Sequence, residues 1–587
     1  MIRLRNVVMV GAVALLASTV YGQRLPDTVV PEHYTLTLQP NLENATFIGH
    51  EQIQVTVKEP VDAITLNAAE IQFASVEAEV AGHQALGKVT QDAQKEQATF
   101  SFGQTIPAGP LTLTIVYHGI LNNQLRGFYL SKAGKQRLAV TQFEPTDARR
   151  AFPSFDEPAF KATFDLTVIA PEGDTVIANT NQVSDEPGPY GGEHTVHFAT
   201  TPKMSTYLVA FLVGDFQCIS GQSDGTPIRV CGTPDKVQYG KFALSAAQYV
   251  LHYYNTYFGI RYPMPKLDLI GIPDFEAGAM ENFGAITYRE TDLFIDDTTA
   301  SVGEKKNVAE VVAHEMAHQW FGDMVTMQWW NNIWLNEGFA TWMENKPVAA
   351  WHPEWHIPQD VAAGLNGTLD YDAQKVTRAI RAKADTPAEI NQMFDGISYG
   401  KAAAVLLMTE QYEGTEVFRR GVHDYLQAHM FGNATAEDFW NAQAAASHLP
   451  VDKVLSSYVT EAGEPLLTFA EPASGTVQVS QQRFFLNPQV KPESQQTWTI
   501  PVCFSAGGAQ ARCAVMDQAQ QTLNLPNAPV FYPDAGGHGY YRFALTDPVY
   551  AKLLGSVETA LTPEERIALL GDKWAGVRSN HDAVGDF

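Results

Sequence analysis

Apolar and polar residues alternate along the first third of the chain, the period of strands buried on one face. Leu36 and Leu38 keep this period, as do Ile53, Val55 and Val57, and then Leu111, Leu113 and Ile115. Residues 33–215 read as strands and turns, which predicts an antiparallel β domain of one or two sheets over 23–215. From 216 to 465 the period lengthens to that of helices, most clearly at Phe242–Phe258 and Val308–Phe321. Alternation returns over 466–545, at Thr476–Val479 and Thr497–Ile500, with glycine turns at Gly507-Gly508 and Gly536-Gly537. A small β-sandwich is expected there. Helix resumes at 546. Thr562-Pro563-Glu564-Glu565 combines a capping box with proline at the first helical position, and Ile567, Leu569, Leu570 and Trp574 are its expected apolar face. The fold class is multidomain α+β. The segment 546–587 reads as the beginning of a further helical domain, and two helices bury little surface alone, so the natural protein is expected to continue beyond Phe587.

Composition narrows the function more than the fold. A chain of 587 residues is long enough for several domains. Its net charge of −26 argues against nucleic acid and anionic membrane surfaces as partners, and suits a substrate carrying positive charge. The N-terminus carries Arg3 and Arg5, then an apolar run from Val7 to Ala17 and the small-residue site Val20-Tyr21-Gly22. This reads as a signal peptide over 1–22, with the mature chain beginning at Gln23. The apolar run is too short for a stable membrane span. An exported protein, periplasmic or secreted, is the expectation. Cys218, Cys231, Cys503 and Cys513 form two pairs close in sequence, consistent with two local disulfides, and none has C-x-x-C spacing.

Candidate chemistry concentrates between Ser301 and Glu337. His314-Glu315-Met316-Ala317-His318 is an H-E-x-x-H, and Glu337 follows within Asn336-Glu337-Gly338-Phe339-Ala340. One helical turn separates His314 from His318, so both project from one face. Two imidazoles and a carboxylate supply three ligands for one Zn²⁺ and leave a fourth position for water, with Glu315 beside it as general base. Ser301 and Glu304 predict the helix start by a capping box, Val308, Val311, Val312 and Ala313 its buried stripe, and Gly322 its stop. Upstream, Gly278-Ala279-Met280-Glu281-Asn282-Phe283-Gly284 places glycines around a carboxylate, as close approach of backbone to a ligand requires. Thr141-Gln142-Phe143-Glu144-Pro145 precedes a charged segment, Asp147 to Pro158, which reads equally as a salt-bridged domain junction. Tyr399 stands at the junction between a loop and the Ala402–Met408 helix, where a tyrosine either presents its hydroxyl to a pocket or packs at an interface.

Together these motifs resemble the zinc aminopeptidase family of aminopeptidase N and the leukotriene hydrolases. The resemblance rests on the 278–282 and 314–322 stretches, on Trp334-Leu335-Asn336-Glu337-Gly338-Phe339-Ala340, on Tyr399 and on Gln142-Phe143-Glu144. It implies a β-saddle N-terminal domain, a thermolysin-like catalytic domain, a β-sandwich and a helical C-terminal domain, of which the last is only begun here. Leukotriene hydrolases lack the sandwich, so 466–545 favours the aminopeptidase N branch. The resemblance implies zinc on His314, His318 and Glu337, Tyr399 as oxyanion donor, and Glu281 and Glu144 as carboxylates for the α-amino group of a peptide. It implies backbone pairing of substrate with Gly278 and Ala279, and a first-residue pocket of Gln142, Ala277 and Met280, roomy enough for neutral or basic residues. A thermolysin-like endopeptidase and a non-catalytic binding protein on the same fold stand as the alternatives.

Overall fold

The computed structural model describes residues 24–587 except 81, 474, 492–494, 506–510 and 525–529. The signal-peptide reading and the Gly507-Gly508 turn fall outside the described residues. The first strands, β1 (Val29–Asn41) and β2 (Thr46–Val57), pair antiparallel along their whole length. Alternate positions of β2, including Phe47, Ile53, Val55 and Val57, are buried as the two-residue period requires. They lie in an eight-stranded sheet that is mixed, not purely antiparallel as expected: β1 also pairs parallel with Thr163–Pro171, from His33↔Thr163 to Leu38↔Val168. A segment returning from a distant part of the chain is not bound by hairpin geometry, so alternation alone does not reveal its direction. Three- and four-stranded sheets complete this β-rich region. The charged segment after Pro145 is a buried ion network in which Arg149 pairs with Asp156 (2.8 Å) and Arg150 with Asp147 (2.6 Å) and Glu96 (2.7 Å).

A five-stranded sheet follows, containing Thr226–Gly232, Leu267–Ile272, Ala285–Arg289 and, at its edge, Ala279–Met280. Helices follow: α1 (Lys241–Phe258) packs on the sheet, α2 (Val302–His318) on α1 and the sheet's Ala279–Met280 edge, α3 (Trp334–Trp351) on α2, and α4 (Ile357–Asp372) on α3. The β-rich region is stitched to this unit by buried cations and amides on backbone carbonyls. Lys161 Nζ donates to Asp323 O and Met324 O (3.1 and 3.3 Å), Lys266 Nζ to Ala178 O and Gly284 O (2.6 and 2.7 Å), and Asn179 Nδ2 to Phe283 O (2.9 Å).

Beyond 460, Pro465–Phe469, Thr476–Arg483, Gln520–Asn524 and Arg542–Leu545 form a four-stranded sheet, with Ile500–Phe504 and Arg512–Met516 as a separate pair. Disulfides link Cys218 to Cys231 and Cys503 to Cys513 across directly paired strand positions. The Pro563–Arg578 helix has its capping box but shows a different face from the one expected. Ala568, Leu569, Asp572 and Ala575 are buried, while Leu570 and Trp574 are 57% and 45% exposed. Asp572 turns inward because the buried Arg542 meets it at 3.2 Å, and that ion pair sets the helix rotation. Among the described residues no helix is long and apolar enough to cross a membrane.

Candidate active site

Helix α2 begins at the capping box read from sequence: Glu304 N donates to Ser301 Oγ (3.2 Å) and Ser301 N to Glu304 Oε2 (2.7 Å). It ends at His318, earlier than the glycine expected to stop it. Gly322 serves another purpose. Its φ is +120°, and a Cβ there would lie 2.1 Å from Asn336 Oδ1. Val308, Val312, Ala313 and Met316 bury one side of α2, whereas Val311, His314, Glu315 and His318 line a cavity of about 740 Å³.

Glu337, from the start of α3, reaches between the two imidazoles. Its Oε2 lies 3.2 Å from His314 Nε2 and 3.3 Å from His318 Nε2. Each ring is oriented through its other nitrogen, His314 Nδ1 by Glu344 Oε2 (2.6 Å) and His318 Nδ1 by the Phe321 carbonyl (3.0 Å). With Nδ1 of each ring so committed, Nε2 is the nitrogen that each ring turns toward the Glu337 oxygen. The three donor atoms lie within 4.8 Å of one another. Burial disfavours charge on His318, yet the Glu281 and Glu337 carboxylates hold its proton up to about 9. A buried, converging set of two nitrogens and an oxygen in so negative a surround fits a divalent cation of the zinc type.

The flanking carboxylates gather at the same place. One oxygen of Glu281 lies within 4.8 Å of donor atoms of Glu315 and His318. Asn336 Nδ2 donates to Glu281 Oε1 (2.9 Å), and Gln319 Nε2 donates to its backbone carbonyl (2.8 Å). Gln319 Oε1 also accepts from Gly284 N (3.0 Å), so the residue after the second histidine clamps the 278–284 loop to α2. Glu144 is partly buried, with its Oε1 buried and unpartnered, and its carboxyl is pushed well up by desolvation and then by the Glu281 charge. Gln142 also has an unpartnered buried Oε1. Both line the cavity with Ala277, Gly278 and Ala279.

Met280 does not line that cavity. It is 1% exposed and joins the core, because neighbours on the Ala279–Met280 strand point to opposite sides. Tyr399 sits in a π-helical turn, Ile397–Lys401. Its ring lies parallel to that of His314 at 6.0 Å, and burial and the Glu337 carboxylate raise its phenol well above the ordinary value. Sequence reasoning had no signal for Glu344, which lies one helical turn beyond the familiar motif. It also passed over Gly338, where a Cβ would lie 2.6 Å from Ala402 Cβ and 3.2 Å from Ser398 O. That glycine lets the Glu337 helix touch the Tyr399 turn. Gly338→Ala is expected to cost about 1–3 kcal/mol by overpacking. An unaltered melting temperature would remove the close-contact argument.

A β-rich unit held over a helix that presents H-E-x-x-H and a more distant glutamate defines a metallopeptidase-type catalytic unit. Comparison with known proteins makes this specific. Residues 30–208 match the peptidase M1 N-terminal domain and residues 242–458 the peptidase family M1 domain, and the chain belongs to the M1 peptidase family. It is similar to Aminopeptidase 2 of Candida albicans (39% identity; 95% of this chain, 61% of the relative). It is similar also to two Saccharomyces cerevisiae proteins: Aminopeptidase 2, mitochondrial (36%; 95% and 59%), and Alanine/arginine aminopeptidase (36%; 96% and 66%). The chain thus spans about three fifths of the length of the curated relatives it matches. The expectation of an exported, periplasmic or secreted protein is corrected by these relatives, since one bears a mitochondrial designation. A basic N-terminus without acidic residues is an ambiguous address, because organelle transit sequences share that charge pattern.

Proposed function

We infer that this chain carries a zinc-dependent aminopeptidase activity, releasing the N-terminal residue of peptides. The observation that carries this reading is the pair of carboxylates, buried Glu281 and partly buried Glu144, in the same cavity as the His314, His318 and Glu337 donors. An endopeptidase has no need of buried negative charge there. A free α-ammonium does need it, because a buried charge must be paired.

His314, His318 and Glu337 would hold the zinc, which when bound polarises the scissile carbonyl and acidifies a water. Glu315 takes the proton of the attacking water and passes it to the leaving amine. Tyr399 donates a hydrogen bond to the oxyanion as the carbonyl becomes tetrahedral. Glu281, oriented by Asn336, and Glu144 bind the substrate ammonium. That contact fixes which peptide bond lies over Glu315. Gly278 and Ala279 offer backbone to the substrate main chain, and Gln142 and Ala277 face the first side chain with room for neutral or basic residues.

The test compares peptides that differ only by N-acetylation. Free-amine peptides should be cleaved and acetylated ones rejected. Equal rates, or cleavage at internal bonds, would point to the endopeptidase instead. A second expectation concerns Glu344, whose hydrogen bond fixes the His314 ring. Glu344→Ala should weaken zinc binding by about 10- to 100-fold in competition with a chelator. Unchanged metal affinity would show that His314 needs no such partner.

A further inference from the structure

The π-helical turn that presents Tyr399 is held at both ends by an ion pair, and both anchors come from one short stretch at the end of α4. At the start, Asp395 Oδ1 accepts from Ile397 N (2.9 Å) and Ser398 N (3.3 Å), capping the turn. The same carboxylate receives Arg378, through Nε at 3.0 Å and Nη2 at 2.5 Å. Arg378 Nη2 also reaches this turn and its approach, at Ser398 Oγ (2.8 Å) and Met393 O (2.9 Å), while Nη1 fixes the arginine to its own loop through Ala379 O (2.9 Å) and Ile380 O (3.0 Å). At the end, Lys401 is fully buried and meets the equally buried Asp372 at 2.9 Å. Lys401 Nζ also donates to Gly463 O (3.0 Å), while Gly463 N (3.2 Å) and Tyr540 OH (3.1 Å) donate to Asp372. Between these ends, a Cβ on Gly400 would lie 2.7 Å from Thr368 Oγ1 on α4, so the turn is also pressed flat against its neighbour.

A simple surface turn has no use for two ion pairs, one of them fully buried. Burying charges costs desolvation that attraction only roughly offsets, so such pairs fix geometry more than they stabilise. π-turns are strained insertions that concentrate at functional sites. The residue carried between the two clamps is Tyr399, whose phenol must meet an oxyanion to within a fraction of an ångström to be effective. We propose that Arg378–Asp395 and Lys401–Asp372 are positioning pairs that aim the Tyr399 hydroxyl, and that through Gly463 and Tyr540 the domain beyond residue 460 helps to hold that aim. This rests on the oxyanion role inferred above for Tyr399.

The test is a double-mutant cycle on zinc-loaded enzyme, with rates normalised to bound zinc. Tyr399→Phe alone should lower kcat about a hundredfold. Asp395→Ala, at the half-exposed end, should lower kcat tenfold or more with KM within twofold. It should also weaken binding of a tetrahedral phosphinic peptide analogue by the same factor, leaving binding of the free amino acid product unchanged. Combined with Tyr399→Phe, Asp395→Ala should cost nothing further, because there is no hydroxyl left to aim. Lys401→Met should behave alike. If it fails to fold, Arg378→Lys, which keeps the charge but not the forked contact, supplies the second variant and should lie between wild type and Asp395→Ala. Losses that multiply in the double variant, or a kcat untouched by Asp395→Ala, would overturn the positioning role. A Tyr399→Phe enzyme of normal kcat would overturn the oxyanion reading itself and the aim with it, and that outcome is distinct from multiplying losses.

Discussion

Glu315→Gln should stop peptide hydrolysis, lowering kcat by about a hundred- to ten-thousandfold, while the zinc content stays that of the unaltered protein. Glutamine has the shape of the glutamate but cannot take up a proton. Glu315 is 6% exposed and lies between His314 and His318 on one turn of α2, facing the cavity. It orients neither histidine. Those rings are held by Glu344 and by the Phe321 carbonyl, so the metal donors keep their places when Glu315 is changed. Metal analysis and kcat on the same preparation separate the two roles. A glutamine enzyme that retained a tenth of its turnover would exclude Glu315 as the base. One that lost its zinc would mean that the residue supports the metal instead.

What the sequence made legible follows from how local each signal is. The start of α2 was readable because a capping box is written in four consecutive residues, and Ser301 and Glu304 close it as expected. The convergence of His314 and His318 was readable because helical geometry fixes residues one turn apart. Alternation gave the strands of the first domain, but not the parallel pairing of β1 with Thr163–Pro171, which depends on where a distant segment returns. The rotation of the last helix was missed for a related reason. Hydrophobicity placed Leu570 and Trp574 inward, whereas the Arg542–Asp572 pair, formed across thirty positions of sequence, turns that face to solvent. Met280 was misplaced because a pocket assignment carried by a motif says nothing about which side of a two-residue strand each member faces. Glu344, Gly338 and the Arg378 and Lys401 anchors share one property. Each acts through a neighbour brought close only by folding, and no spacing in the chain announces them.

Glu281→Ala is expected to lower kcat/KM for free-amine peptides by roughly thirty- to a few thousandfold, the range for truncating one partner of a buried, hydrogen-bonded charge pair (about 2–5 kcal/mol). Glu281 is 2% exposed, Asn336 holds its Oε1, and one of its oxygens lies within 4.8 Å of donor atoms of Glu315 and His318. An ammonium placed there would lie beside the Glu315 carboxylate, so the bond presented to that base would be close to the N-terminus. The alanine variant removes this pairing without touching His314 or Glu337, so zinc should remain bound. Its selectivity carries the most information. With Glu281 gone, the preference for free over N-acetylated peptides should shrink, because the site has lost the charge that made a neutral N-terminus unwelcome. Glu144 remains as a second carboxylate, so the preference should narrow and not vanish, and Glu281→Ala combined with Glu144→Ala should narrow it further. An alanine variant that keeps full discrimination would take the amine-binding role away from Glu281 and leave Glu144 to account for it alone.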